Sequence, residues 1–167
     1  MATIKLSVGS LLNPDTSGNV YWQPTSILDT NDLYPTQEVL IFADTATLDK
    51  AHGNFLVPND YVGTAVLTVR CKFATITTGN VLFTLDYRSI AATEAGDPTT
   101  HQESLAGSAT AVPGTANLIA DISFSLTSAN LAAGDTFMFT LARNGAGADT
   151  AAASAQVIDV IFTYANA

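Results

Sequence analysis

Apolar and polar residues alternate with a period of two over most of the chain beyond residue 37. Within residues 64–73, Ala65, Leu67, Val69, Cys71 and Phe73 take one set of positions and Thr68, Arg70 and Lys72 the other. Val81, Phe83, Leu85 and Tyr87 alternate with Thr84, Asp86 and Arg88. Ile122, Phe124 and Leu126 alternate with Asp121, Ser123 and Ser125, and Phe137, Phe139 and Leu141 with Met138, Thr140 and Ala142. This is the pattern of strands with one face in a core. Residues 38–43, 55–57 and 156–164 add further strand-like runs, and residues 102–105 one edge strand inside a stretch of Ala, Thr, Ser, Gly and Pro. Turn chemistry separates them: Pro58 to Gly63, Thr77-Thr78-Gly79-Asn80 and Arg143-Asn144-Gly145. Residues 128–134 read as one helical turn stopped by Gly134. About eight strands and one turn predict an all-β, antiparallel β-sandwich of jelly-roll type.

The first 36 residues read differently. Ile4, Leu6 and Val8 mark a short strand, and residues 9–36 form an irregular segment interrupted by Pro14, Gly18, Pro24 and Pro35. Loops of this length in a compact domain are usually functional or docked on a partner. The expected organisation is therefore an N-terminal strand and extended arm over 1–36, then a jelly-roll domain over 37–167. Tyr21 and Trp22, with Tyr34 further along, are the aromatic cluster outside the inferred core. Three roles fit them: capping one end of the sandwich, anchoring a protein interface, or stacking on sugar rings.

Composition narrows the function. Hydrophobic residues make up 47% of the 167 residues and charged residues 13%, against roughly 25% charged in an average domain. A surface dominated by neutral residues is weakly protected against association and suits a protein that works in an assembly. The formal net charge is −9, from 15 acidic and 6 basic residues, and the basic ones are scattered. No basic patch exists to displace counterions from phosphates, so neither a nucleic acid nor an anionic membrane is an expected partner.

Motifs for chemistry are missing. His52 and His101 have no neighbour at metal-ligand spacing, and His52 reads as an exposed loop residue. Asp15, Ser17 and Asn19 resemble a calcium loop only loosely and read as an Asx turn, without a closing bidentate Glu. No nucleophile elbow or phosphate-binding glycine loop occurs. Glu38, Asp86, Glu94, Glu103 and Asp159 fall on different elements and form no hydrolytic pair in sequence. No cofactor or metal is expected, and the chain does not read as an enzyme. Cys71 is the single cysteine, so no intramolecular disulfide forms. Residues 5–12 are too short and too polar for a secretory leader, which points to synthesis in a reducing cytoplasm.

Two stretches carry a family resemblance: Phe55-x-x-Pro58-x-Asp60-Tyr61-x-Gly63 before a long alternating strand, and Leu131-Ala132-Ala133-Gly134-Asp135 before an apolar one. With Arg143-Asn144-Gly145, Asp149-Thr150 and a last strand ending at Tyr164, residues 38–164 resemble small jelly-roll structural proteins of bacteriophage virions. The resemblance implies a homotrimeric decoration or cement protein on the outer capsid surface, partnered by the major capsid protein. Its alternative is a tail, baseplate or fibre domain that binds a host-surface glycan; a polysaccharide-active enzyme is a third, weaker reading. The resemblance does not cover the N-terminal residues. Assembly contacts at Ile4, Leu6, Val8, Tyr21, Trp22 and Tyr34 are an expectation drawn from the residues themselves. Arg143 is either the partner of Asp149 across the loop it opens or an ordinary exposed arginine.

Overall fold

A computed structural model describes residues 1–7, 12–14, 20–25, 37–45, 47–75, 78–94 and 101–167. In chain order the strands are β1 (Ala2–Ser7), β2 (Leu12–Pro14), β3 (Val20–Thr25), β4 (Gln37–Phe42), β5 (Asp49–Leu56), β6 (Tyr61–Lys72) and β7 (Asn80–Val81). They continue as β8 (Phe83–Ile90), β9 (Glu103–Ala106), β10 (Thr110–Ala111), β11 (Ile119–Leu126), β12 (Thr136–Arg143) and β13 (Ala155–Asn166), with a 3-10 turn at Ser128–Asn130 between β11 and β12. Sheet A has the order β11-β6-β13-β4-β3, with β1 also paired to β13; sheet B has the order β2-β5-β12-β8-β9. Every pairing is antiparallel. The chain is an all-β, antiparallel sandwich with a jelly-roll fold.

The alternation seen in sequence makes this core. Leu67, Val69 and Cys71 from β6 and Val157, Val160 and Phe162 from β13 are buried in one cluster with Phe83, Leu85 and Tyr87 from β8 and Phe137, Phe139 and Leu141 from β12. Aromatic rings bridge the sheets: Phe55 lies 5.0 Å from both Phe137 and Phe162, and Phe137 stacks on Tyr87 at 5.1 Å. Such contacts add to the area term, about 25 cal/mol per Å² of apolar surface removed from water. β13 carries a bulge at Ile158, where its register against β6 shifts between Val157 and Asp159. The extra residue turns Ile158 to the opposite side of sheet A, where it is buried with Val39 and Ile41.

Two details differ from the sequence reading and a third, the helical turn, agrees with it. The stretch expected to be irregular over 9–36 contains β2, paired with β5, and β3, paired with β4. β5 begins at Asp49 instead of residue 55, so His52 lies within a strand and not a loop. The helical turn is a single 3-10 turn, and Gly134 then takes a φ of 84°, which lets the chain reverse into β12. Among the described residues, no helix is long and apolar enough to cross a membrane.

Candidate functional site

The outer face of sheet B is where the cross-strand register gathers polar side chains. His52 on β5 stands opposite Thr140 on β12, Thr140 opposite Asp86 on β8, and Asp86 opposite Ser104 on β9. These four side chains form one line across four adjacent strands, about 14 Å long at the usual strand spacing. Asn13 on β2 takes the register position beside His52. Within the line, His52 Nδ1 and Thr140 Oγ1 are 2.9 Å apart, and the Ser104 hydroxyl donates to Asp86 Oδ1. A parallel line runs Asn54, Met138, Arg88. Lys50 lies two residues from His52 on the same side of β5.

Arg88 is the exception on this face. Its Nε is buried without a hydrogen-bond partner, whereas Arg70 is held by two bonds to Asp121 and Arg143 by two to Asp149. An unpaired buried donor costs about 1–3 kcal/mol, and more when charged. Asp86 shares the face but makes no ion pair with Arg88.

Around the β9 edge a second polar network closes on itself. Tyr87, itself buried, donates its hydroxyl proton to Glu103 Oε2. The same carboxylate accepts from Thr127 Oγ1 at 2.9 Å and from Asn130 Nδ2 at 3.1 Å, and the Thr127 N–H donates to the Tyr87 hydroxyl at 3.1 Å. The Tyr87 bond, assisted by those from Thr127 and Asn130, holds the Glu103 pKa below its ordinary value. Burial, and then the bond to Glu103, push Tyr87 up. This network ties β9 to the 3-10 turn.

Three of the carboxylates weighed as a hydrolytic pair occupy different places in the sandwich. Asp86 is on the outer face of sheet B, Glu103 is engaged by Tyr87, and Asp159 is on the outer face of sheet A, 3.0 Å from Lys5 Nζ. Among the described residues no group of three or more His, Cys, Asp or Glu is placed to hold a metal ion.

Of the residues expected to mediate assembly, those described lie on β1 and β3 of sheet A. Ile4 and Leu6 are half-buried against the main core, because β1 pairs along β13 of its own chain. The strand expected to carry assembly contacts is thus part of the chain's own sheet. Tyr21 and Trp22 belong to β3, at the register positions opposite Ile41 and Leu40. Val8 and Tyr34 lie outside the described residues. Arg143, by contrast, has the role proposed from its spacing to Asp149. Fully buried, it donates from Nε and Nη2 to Asp149 at 2.9 and 3.0 Å, and to the carbonyls of Phe42, Ala151 and Ala153. The outer-face line itself was missed; its signal was the alternation of Lys50, His52 and Asn54 with Ala51, Gly53 and Phe55.

No protein-family model and no curated protein matches the chain. Solved structures do share the fold. A family 6 carbohydrate-binding module from Clostridium cellulolyticum, determined in complex with xylose, superposes with a TM-score of 0.52 at 13% identity, over 98% of this chain and 97% of that one. The CBM35 from Cellvibrio japonicus Abf62 gives 0.53 at 9% identity, over 97% and 93%. The enzymatically active domain of bacteriophage CBA120 tailspike protein 4 gives 0.50 at 9% identity over 92% of this chain, which spans only 19% of that one. At these identities the likeness is one of fold.

Proposed function

We propose that this chain is a non-catalytic glycan-binding β-sandwich, of the kind a phage tail, baseplate or fibre uses on a host surface, and that the outer face of sheet B holds the glycan. The observation that carries this reading is the line His52, Thr140, Asp86 and Ser104 with Asn54 and Arg88 beside it. It offers donors and acceptors on a rigid sheet at strand spacing, which suits the closely spaced hydroxyls of a sugar chain. The carbohydrate-binding modules among the structures of like fold support the choice, and the tailspike domain supports the phage context. Titration of the protein with a panel of soluble polysaccharides by calorimetry tests it. Saturable binding abolished by Asp86→Ala with Thr140→Ala is the expected result; absence of binding across the panel would refute the reading.

Capsid decoration is the second reading, favoured by the outer face of sheet A. There polar side chains pair across strands: Thr68 bonds Ser123 at 3.0 Å, Thr3 faces Thr163 at 3.4 Å, and Arg70 and Lys5 are held by Asp121 and Asp159. Groups already paired within the face cost less to desolvate on a flat partner than free ones. Co-sedimentation with capsids, and capsid survival on heating with and without the protein, separate it from the glycan reading.

A further inference from the structure

We propose that the glycan recognised on sheet B is an acidic one, whose sugar carboxylate is taken by Arg88. This rests on the glycan reading above and specifies its ligand. Of the three arginines, two are satisfied by bidentate carboxylates within the chain. Among the described residues Arg88 has neither an ion pair nor a partner for its buried Nε. The guanidinium fork matches a planar carboxylate.

Its surroundings fit the same ligand. Lys50, in the row of Ala142 and Thr84 on the other side of the polar line, also makes no ion pair among the described residues. In a chain of net charge −9 these three rows carry Lys50 and Arg88 against one carboxylate, Asp86. Asp86 is not an obstacle. One of its oxygens is taken by Ser104, and the carboxylate is free to accept from sugar hydroxyls while the acid group of the sugar lies at Arg88. The polar line thus meets hydroxyls, and the line containing Arg88 meets charge.

Calorimetric titration of the intact chain with polygalacturonate, dextran sulfate and neutral dextran tests the assignment. Polygalacturonate is expected to bind most tightly, weakening as salt rises. Arg88→Gln should lower its affinity roughly tenfold, the loss of one charge-assisted hydrogen bond. Arg88→Lys should restore part of that loss, since it keeps the charge and not the fork. Lys72→Gln removes equal charge from the outer face of sheet A and should change nothing. Circular dichroism and thermal melting establish that each variant is folded. Equal binding of dextran and polygalacturonate, or equal effects of Arg88→Gln and Lys72→Gln, would overturn the acidic-ligand assignment and leave the glycan reading standing. Preference for dextran sulfate would overturn the carboxylate in favour of a sulfate. Binding of none of these, nor of any polysaccharide in the wider panel, would overturn both.

Discussion

Arg143 is a fully buried cation with five hydrogen bonds from its guanidinium. A guanidinium loses several kcal/mol of hydration when it enters the interior, and only a fully bonded environment compensates. Here Asp149 takes two donors and three carbonyls take the rest, while Asp149 also accepts from the backbone N–H groups of Leu82 and Ala151. Gly145 belongs to the same construction: a Cβ there would come within 2.7 Å of Asp44 Oδ1 and 2.8 Å of the Thr45 carbonyl. Asp149→Ala removes the bidentate carboxylate from a buried cation, leaving it Asp44 Oδ1 at 3.8 Å, and is expected to cost about 3–5 kcal/mol, measured as a shift in the urea midpoint at unchanged slope. Glu103 gives a prediction in pH. Its folded pKa lies below its unfolded one, so its contribution is complete above the unfolded pKa and is lost as pH falls through the folded value. Wild-type stability should therefore fall from about pH 5 downward, and Glu103→Gln should flatten that limb. Asp121, lowered by its bonds to Arg70, leaves a residual slope in the variant.

At the scale of elements, β1 shows how a strand with little core of its own is retained. It pairs with one edge of β13 from Ala2↔Tyr164 to Ser7↔Asp159, half-buries Ile4 and Leu6, and is pinned outside by Lys5 on Asp159. The exposed ion pair contributes little; the two apolar side chains hold the strand. Leu6→Asp should raise amide exchange across β1 while the amides shared by β6 and β13 stay protected, and uniform loss of protection would mean that β1 is integral to the core. Elements were legible in proportion to the contrast of their alternation. β6, β8, β11 and β12 pair large apolar residues with polar ones and were found to within a few residues. β5 was half-missed because Ala51 and Gly53 are small on its inner face, so the alternation with Lys50, His52 and Asn54 carries almost no hydropathy contrast. β3 was missed because Pro24 argues against a strand; as an edge strand paired only with β4 in the described structure, it tolerates a residue without an N–H. The candidate site inherits the miss at β5, since its polar line exists only once the register of β5, β12, β8 and β9 is known. The Arg143–Asp149 pair, six residues apart around one loop, was one of two readings of Arg143, and its burial decides for it.

At the scale of the whole molecule, the topology fixes how the chain must fold. β13 pairs with β6 along one edge and with β4 and β1 along the other, so the strand nearest the C-terminus joins segments from the first half of the chain. Ala2 pairs with Tyr164, and β5 finds β12 across most of the intervening sequence. Closing such loops costs chain entropy before the core rewards it. Refolding from urea is accordingly expected on the order of milliseconds to seconds, the range of sandwiches dominated by distant pairings. The same connectivity makes Phe162 a sensitive probe. It sits in the middle of β13, fully buried, against Phe55 and Phe137 of the opposite sheet. Phe162→Ala should cost about 3–5 kcal/mol through lost burial and the cavity left behind. If β13 is in place at the folding barrier, that cost slows folding in stopped-flow chevrons; if it docks last, the cost appears as faster unfolding. The central position of β13, with three strand partners, favours the first outcome, because sheet A has no continuous hydrogen-bonded path from β6 to β4 until β13 lies between them.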